Sequence, residues 1–276
     1  MPELPEVETI RRDLESQVIG RRIQTVFLYA PEIVQRPAPG EFVTLLRGKT
    51  IERVDRRAKY LLIFLSDDWV WAIHLMLEGQ LLYVRQDDPI KDETRLVVGL
   101  DDGHQLRLRD VVGFAKTQLV PADHYMQTLN LERLGPEPSS PEFDYATFRE
   151  RLEGRSAMLK PLLLNQEIVA GLGNIYADEA LFQAGLLPTR KVNTLGEREL
   201  QRLYAAIVGV MREAIRDRGT SAVGGMYRDL WGRKGEHQAH LQVFRRAGKP
   251  CPGCGGKVEQ VRVGGRATFV CPHCQR

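Results

Sequence analysis

The chain opens with apolar side chains at helical spacing: Leu4, Val7, Ile10, Leu14 and Val18. Pro2 and Pro5 suit a first turn, whose N–H groups have no helical partner anyway. Glu3, Glu6 and Glu8 favour the positive end of a helix. The pattern predicts a helix that begins almost at residue 2, with no leader before it. From 22 to 120 the period changes. Ile23–Tyr29, Lys59–Leu65, Trp69–Leu75, Leu81–Arg85, Arg95–Leu100 and Gln105–Asp110 are rich in β-branched, Leu or aromatic residues, and Ser66-Asp67-Asp68 and Asp101-Asp102-Gly103 punctuate them. Many short strands at even spacing predict a sandwich or barrel. A Pro-rich linker, 135–144, marks the expected domain boundary. Beyond it the pattern is helical over Tyr145–Leu152, Leu159–Ile168, Asn174–Ala184 and Leu195–Arg216, then glycine-rich and irregular over Arg218–Gly235.

Composition adds exclusions. The 276 residues are 43% hydrophobic and 27% charged, which excludes collagen, coiled-coil and disordered readings. The apolar runs are short: Leu61–Leu65, and Trp69–Leu77 broken by His74. A spanning helix needs about 20 residues. With no basic start followed by an apolar stretch, a soluble cytoplasmic protein is expected. The net charge of +3 hides an asymmetry, −6 over residues 1–200 and +9 over 201–276. A basic end on a mildly acidic body suits a polyanion partner, and equally a solvated tail.

All four cysteines, Cys251, Cys254, Cys271 and Cys274, lie at the C-terminal end as C-x2-C-x16-C-x2-C. Each pair places two thiolates on one tight turn, and two turns close a tetrahedron around Zn²⁺. Lys257–Val263, a Gly264-Gly265 turn and Arg266–Val270 read as the hairpin between them. Four cysteines leave no open position for water, so one structural zinc is expected, holding a hairpin too small to bury a core. Lys257, Arg262 and Arg266 are then phosphate-contact candidates or plain solvated charges.

Gly171 and Gly173 resemble part of a dinucleotide fingerprint, but position 176 is Tyr and no strand precedes them, so that reading fails. A turn between helices fits better, its N–H groups and the following helix N-terminus forming an anion site. Asn174 is a helix cap, a phosphate donor or both. At the other end, a small second residue lets the initiator methionine be removed. Pro2 would then carry a secondary amine at a helix N-terminus. The helix field disfavours its protonated form. A free α-amine titrates near about 8, so a neutral amine able to form a Schiff base is available, with Glu3 beside it as proton donor or relay. On pattern alone, a helix that merely starts early explains the same residues.

Together these features resemble the formamidopyrimidine-DNA glycosylase family, bacterial enzymes that remove oxidised purines from DNA. The resemblance is carried by PELPEVET at 2–9, RRAKYLL at 56–62, AGLGNIYADEALF at 170–182, and CPGC with GGRATFVCPHCQ at the end. It spans essentially the whole chain. It implies an α+β multidomain fold: an N-terminal helix plus β-sandwich catalytic domain over 1–134, a helical DNA-binding domain with a helix–two-turns–helix and a lesion loop over 135–236, and a zinc-ribbon hairpin over 237–276. It further implies that Pro2 attacks the anomeric carbon, that Glu3 acts as acid and relay, that Lys59 assists and that Glu6 supports the helix N-terminus. His74, Lys160, Asn174 and Arg266 match phosphate-contacting positions. Thr220, Gly224, Gly225 and Tyr227 match the loop over an everted base, and no redox or nucleotide cofactor is implied. The partner is double-stranded DNA with an oxidised base, there is no membrane association, and a monomer is expected.

Two segments depart from the family pattern. His74-Leu75-Met76-Leu77-Glu78-Gly79 places Leu77 where a methionine wedge is usual. Asp110-Val111-Val112-Gly113-Phe114-Ala115 keeps Phe114 as the stacking wedge but lacks both usual arginines, including the donor to the orphaned cytosine. Weaker discrimination of the opposite base is expected. Two alternatives stand beside the purine enzyme: the sister glycosylase for oxidised pyrimidines, and a non-catalytic zinc-ribbon protein that binds damaged DNA.

Overall fold

A computed structural model describes residues 1–221 and 227–276. The chain divides into two compact units, 1–132 with 217–236, and 133–216 with 237–276.

The first unit holds α1 (Leu4–Val18), β1 (Ile23–Leu28), β2 (Val34–Arg36), α2 (Pro39–Leu46), β3 (Ile51–Arg57), β4 (Tyr60–Leu65), β5 (Trp69–His74), β6 (Gln80–Arg85), β7 (Thr94–Leu100), β8 (His104–Arg109), β9 (Lys116–Pro121) and the short α3 (Tyr125–Thr128). The strands form two sheets, ordered β1-β7-β8-β6 and β2-β9-β5-β4-β3. Pairing is antiparallel except between β2 and β9. One apolar core joins them: Trp71 and Ile73 from one sheet, Val98 and Leu106 from the other, Val7, Ile10 and Leu14 from α1. The expected sandwich is thus present. Burial of alternate residues on both inner faces drives it.

The helix begins at Leu4, two residues later than the pattern suggested, because Glu3 is extended and serves as the N-cap. Its burial exceeds an apolar stripe. Glu6, Glu8, Thr9 and Asp13 are buried as well. Buried polar groups need partners. Glu8 receives Arg11, Arg12 and, from β3, Arg56 at 3.1 Å. Burial raises the Glu8 carboxyl, but the three guanidiniums outweigh it and hold the pKa below the usual value.

The second unit holds α4 (Tyr145–Leu152), α5 (Leu159–Leu163), α6 (Asn174–Ala184), α7 (Glu197–Arg216) and a hairpin of β10 (Glu259–Val263) and β11 (Arg266–Val270). The expected linker is no loose tether. Residues 135–138 are buried, the Gly135 amide donates to Gln166 O at 2.9 Å, and a Cβ on Gly135 would lie 2.6 Å from Glu167 O. The expected helix Leu159–Ile168 stops at Leu163, and the Asn165 side chain then accepts from the Glu167 amide in a turn. Residues 217–236, expected in the helical domain, pack instead with the sandwich. Polar groups of α1 bind them, as described below. The zinc hairpin packs with the helices, not as a body of its own.

Candidate active site and nucleic-acid interface

In the first unit the N-terminal candidates converge. The Glu6 carboxylate accepts from the Glu3 amide at 2.7 Å through Oε2 and from the Thr220 amide at 2.7 Å through Oε1. One buried side chain thereby joins the residue after Pro2 to the start of the expected lesion loop. Pro2 and Glu3 are themselves buried. The Tyr227 phenol donates to Arg218 O at 3.1 Å, and its pKa is raised by burial and further by the Glu6 charge. Asp13 pairs with Arg218 at 2.6 Å. Ser221 Oγ donates to Tyr227 O at 2.8 Å and closes the base of the loop. Gly224 and Gly225 lie outside the described residues.

Lys59 does not start a strand. With Ala58, in the left-handed region at φ 50°, it forms the turn between paired Arg57 and Tyr60. It is buried, and α1 packs on the two strands that flank it. His74 lies opposite Tyr60 in the register, its ring edge-on to the tyrosine at 4.6 Å. Burial and the nearby Lys59 charge lower the His74 pKa to about 4. Nδ1 accepts from the Met76 amide at 3.0 Å, so the neutral ring carries its proton on Nε2. His74 therefore offers a neutral Nε2–H donor, not a cation.

Four apolar side chains stand out from the surface on two loops here: Leu77 at 47% exposure on one, and Phe114 at 48% with Val111 and Val112 on the other. Their loops follow β5 and precede β9, and His74 pairs with Lys116 across those strands. The loops also touch, since a Cβ on Gly79 would lie 3.2 Å from Ala115 Cβ. Asp110 stiffens the second loop by accepting from the Val112 amide at 3.1 Å and the Ala115 amide at 2.6 Å. An exposed Phe on a loop fixed by a buried carboxylate suits insertion between bases.

In the second unit, Lys160 corrects its expected role. Its side chain is 0% exposed, paired with Asp178 at 2.6 Å and donating to Ala267 O and Thr268 Oγ1 at 3.0 and 2.9 Å. A sealed ammonium reaches no phosphate. Asp178 completes the cluster by accepting from the Phe269 amide at 3.0 Å. Burial pushes its carboxyl up to about 7 against the pull of Lys160. Removing one partner of such a pair costs roughly 3–5 kcal/mol, so Lys160 is a structural bolt between α5, α6 and β11.

Asn174 is not the cap either. Gly173 occupies that position, and Asn174 Nδ2 donates to Ala267 O at 3.2 Å. Arg266, next to Ala267 at the start of β11, is exposed. Lys160 and Asn174 thus set the strand that presents Arg266. Glu179 does the same for 242–244, accepting from their three amides at 2.7 to 3.0 Å. Burial raises its pKa, and those amides oppose the rise. Asp13, Asp178, Glu179, Arg218 and Asp229 escaped the sequence reading. The spacing of Glu6, Thr9 and Asp13 on one helical face was the only available signal for one of them.

The four cysteine Sγ atoms lie within 4.8 Å of one another, with Cys251–Cys274 at 3.7 Å and Cys254–Cys271 at 3.5 Å. Thiolates at about 2.3 Å from a tetrahedral zinc stand about 3.8 Å apart. The residues fit one Zn²⁺ with no position left for water. The ion supplies cross-linking, not chemistry. Among the described residues no helix is long and apolar enough to cross a membrane.

Family models match in chain order: the formamidopyrimidine-DNA glycosylase N-terminal domain over 1–117, the H2TH domain of the same enzymes over 134–224, and a zinc finger found in FPG and IleRS over 248–276. The formamidopyrimidine-DNA glycosylase of Pelotomaculum thermopropionicum is 42% identical over 276 residues, covering 100% of this chain and 99% of that protein. The Lactococcus lactis enzyme in complex with DNA containing N7-benzyl-Fapy-dG is 36% identical with a TM-score of 0.93 and covers 100% of both chains. The same enzyme with DNA containing an oxidised pyrimidine is 35% identical with a TM-score of 0.92, again over 100% of both. Full-length identity, three family models in register and the shared fold agree: the chain belongs to the formamidopyrimidine-DNA glycosylase family, DNA glycosylases with a four-cysteine zinc finger.

Proposed function

We propose that the protein excises oxidised purines from double-stranded DNA and then cuts the strand as an abasic-site lyase, acting in the cytoplasm with the chromosome. The observation that carries this reading is Glu6, which ties the residue next to Pro2 and the loop-stem amide of Thr220 to one carboxylate. The everted nucleotide is needed because attack on its anomeric carbon is blocked in the stack. After loss of Met1, the Pro2 nitrogen bonds to C1′ and the bond from C1′ to the base breaks. The amine proton ends on the departing base, Glu3 protonates the ring oxygen as the sugar opens, and an iminium remains between the Pro2 nitrogen and C1′. β-Elimination then releases the 3′-phosphate and δ-elimination the 5′-phosphate. Lys59 lies in the buried turn beside His74 and assists as a cation. His74, Asn174 and Arg266 contact phosphate, each contact weakening with salt. Leu77 and Phe114 fill the gap left by the everted base.

Borohydride trapping tests the reading. Duplex DNA carrying 8-oxoguanine should yield a reduced adduct that mass spectrometry places on the Pro2 nitrogen. An adduct only with oxidised pyrimidine would favour the sister specificity, to which the pyrimidine-containing complex of the Lactococcus lactis enzyme lends some support. Tight binding with no adduct, Met1 being absent, would leave a damage binder.

The second wedge loop bears on the opposite base. Val112 and Gly113 offer no side-chain donor to an orphaned cytosine. Excision opposite cytosine and opposite adenine should therefore proceed at comparable rates. Strong rejection of adenine in a paired single-turnover assay would count against this.

A further inference from the structure

Arg218 is a non-glycine residue in the left-handed region, φ 57°, and Gly219 follows at φ 80°. Such backbone is unfavourable for a residue with a Cβ, so something must hold it. Two carboxylates do. Arg218 Nη2 meets Asp13 of α1 at 2.6 Å and Asp229 at 2.8 Å. Both acids are largely buried, which separates this arrangement from a weak surface ion pair. Asp229 is itself fixed, accepting from the amides of Trp231 at 3.0 Å and Arg233 at 2.8 Å and from Arg233 Nε at 3.1 Å. The Arg218 carbonyl in turn accepts from the Tyr227 phenol at 3.1 Å.

What this clamp holds is the backbone against Glu6. A Cβ on Gly219 would come within 2.7 Å of Glu6 Oε1. The next amide, Thr220, donates to that same oxygen, and the other oxygen takes the Glu3 amide. The links therefore run unbroken from the Arg218 guanidinium through Gly219, Thr220 and Glu6 to the peptide that joins Pro2 to Glu3.

We propose that Arg218 is a positioning residue for the N-terminal catalytic group: its guanidinium, shared between Asp13 and Asp229, locks the left-handed turn from which Thr220 holds Glu6. The proposal rests on the reading of Pro2 and Glu3 as catalytic. It assigns Arg218 to the chemical step and not to DNA affinity, because its charge is already spent on two carboxylates.

The test uses the full-length zinc-loaded protein and 8-oxoguanine duplex, with single-turnover excision, the dissociation constant and borohydride trapping measured together. Arg218→Gly removes the clamp while leaving a residue that accepts the turn, so the fold should survive. Excision should fall about 10-fold with the dissociation constant within about 2-fold of wild type. Asp13→Asn should give a similar loss, and the double variant should lose no more than the worse single variant, since both break one device. Arg218→Lys keeps a single nitrogen able to donate to both carboxylates, as Nη2 does, on a shorter side chain, and should recover part of the rate; Arg218→Asn, which tolerates the left-handed turn and carries no charge, takes the same criterion should the glycine variant not fold. Wild-type rates in Arg218→Gly, or a loss confined to the dissociation constant, overturn the proposal alone. A wild-type protein that forms no adduct overturns the underlying reading, and the proposal with it.

Discussion

Protein whose Pro2 nitrogen is blocked, by retained Met1 or by acetylation, is expected to lose base excision by more than about 1,000-fold. It should still bind lesion-containing DNA at the affinity of the processed protein. An acylated nitrogen shares its lone pair with the adjoining carbonyl and cannot bond to C1′. Nothing else in the site needs to change. The Glu3 nitrogen is a peptide amide in either form, so its 2.7 Å bond to Glu6 survives the block, as does the bond from Thr220. The proposed wedges Leu77 and Phe114 sit on loops held by Asp110 and by strand register, independent of the terminus. Processed and blocked protein, separated by intact mass, should therefore differ in the rate constant and in borohydride adduct and not in melting temperature. Excision by the blocked form at the processed rate would remove Pro2 from the mechanism and point to a side-chain amine, with Lys59 first to be tested.

Some of this arrangement was legible in the chain and some was not, for physical reasons. The helices Tyr145–Leu152 and Asn174–Ala184 emerge with their expected bounds, since apolar spacing and a glycine stop at Gly185 fix both ends of α6. The hairpin likewise follows from two CxxC turns and a Gly-Gly reversal. By contrast β3 and β9 were not singled out. β3 buries chiefly Ile51 and Val54 among charged residues, and β9 is an interior strand that buries the polar Thr117 and Gln118 on opposite faces. Thr117 is tolerated there because Trp71 Nε1 donates to its hydroxyl at 2.7 Å, a pairing 46 residues away in sequence that no local pattern reports. Lys160 failed for the same reason. The resemblance places it at a phosphate-contacting position, and only the fold reveals that Asp178, Ala267 and Thr268 surround it. The catalytic candidates themselves were legible through resemblance. The polar scaffold that aims them was not, because it consists of long-range contacts: Glu6 with Thr220, Asp13 with Arg218.

Zinc removal should have a comparably large effect through the second unit. Chelation, or Cys271→Ser at a buried ligand, is expected to weaken DNA binding by at least about 100-fold, with the measured dependence on salt becoming shallower as phosphate contacts disappear. The hairpin buries only a few apolar side chains, among them Val258, Val263, Phe269 and Val270. That is far too little to order it without a cross-link. Structural zinc contributes about 10–16 kcal/mol in comparable fingers, so the unligated hairpin should unfold. The loss would spread beyond Arg266. Ala267 O is the acceptor for both Lys160 and Asn174, while Thr268 and Phe269 satisfy the Lys160–Asp178 pair. Once β11 leaves, that buried pair loses three of its partners and faces water, and the N-terminal turn of α6 loses what Asn174 was holding. The sandwich unit draws on none of these contacts, so its strand signal in circular dichroism should persist at temperatures where DNA binding is gone. Re-addition of Zn²⁺ should restore binding in the chelated wild type and not in Cys271→Ser. Chelated protein that keeps its affinity and salt dependence would show the metal to be dispensable for the interface, and would return Arg266 to the status of a solvated charge.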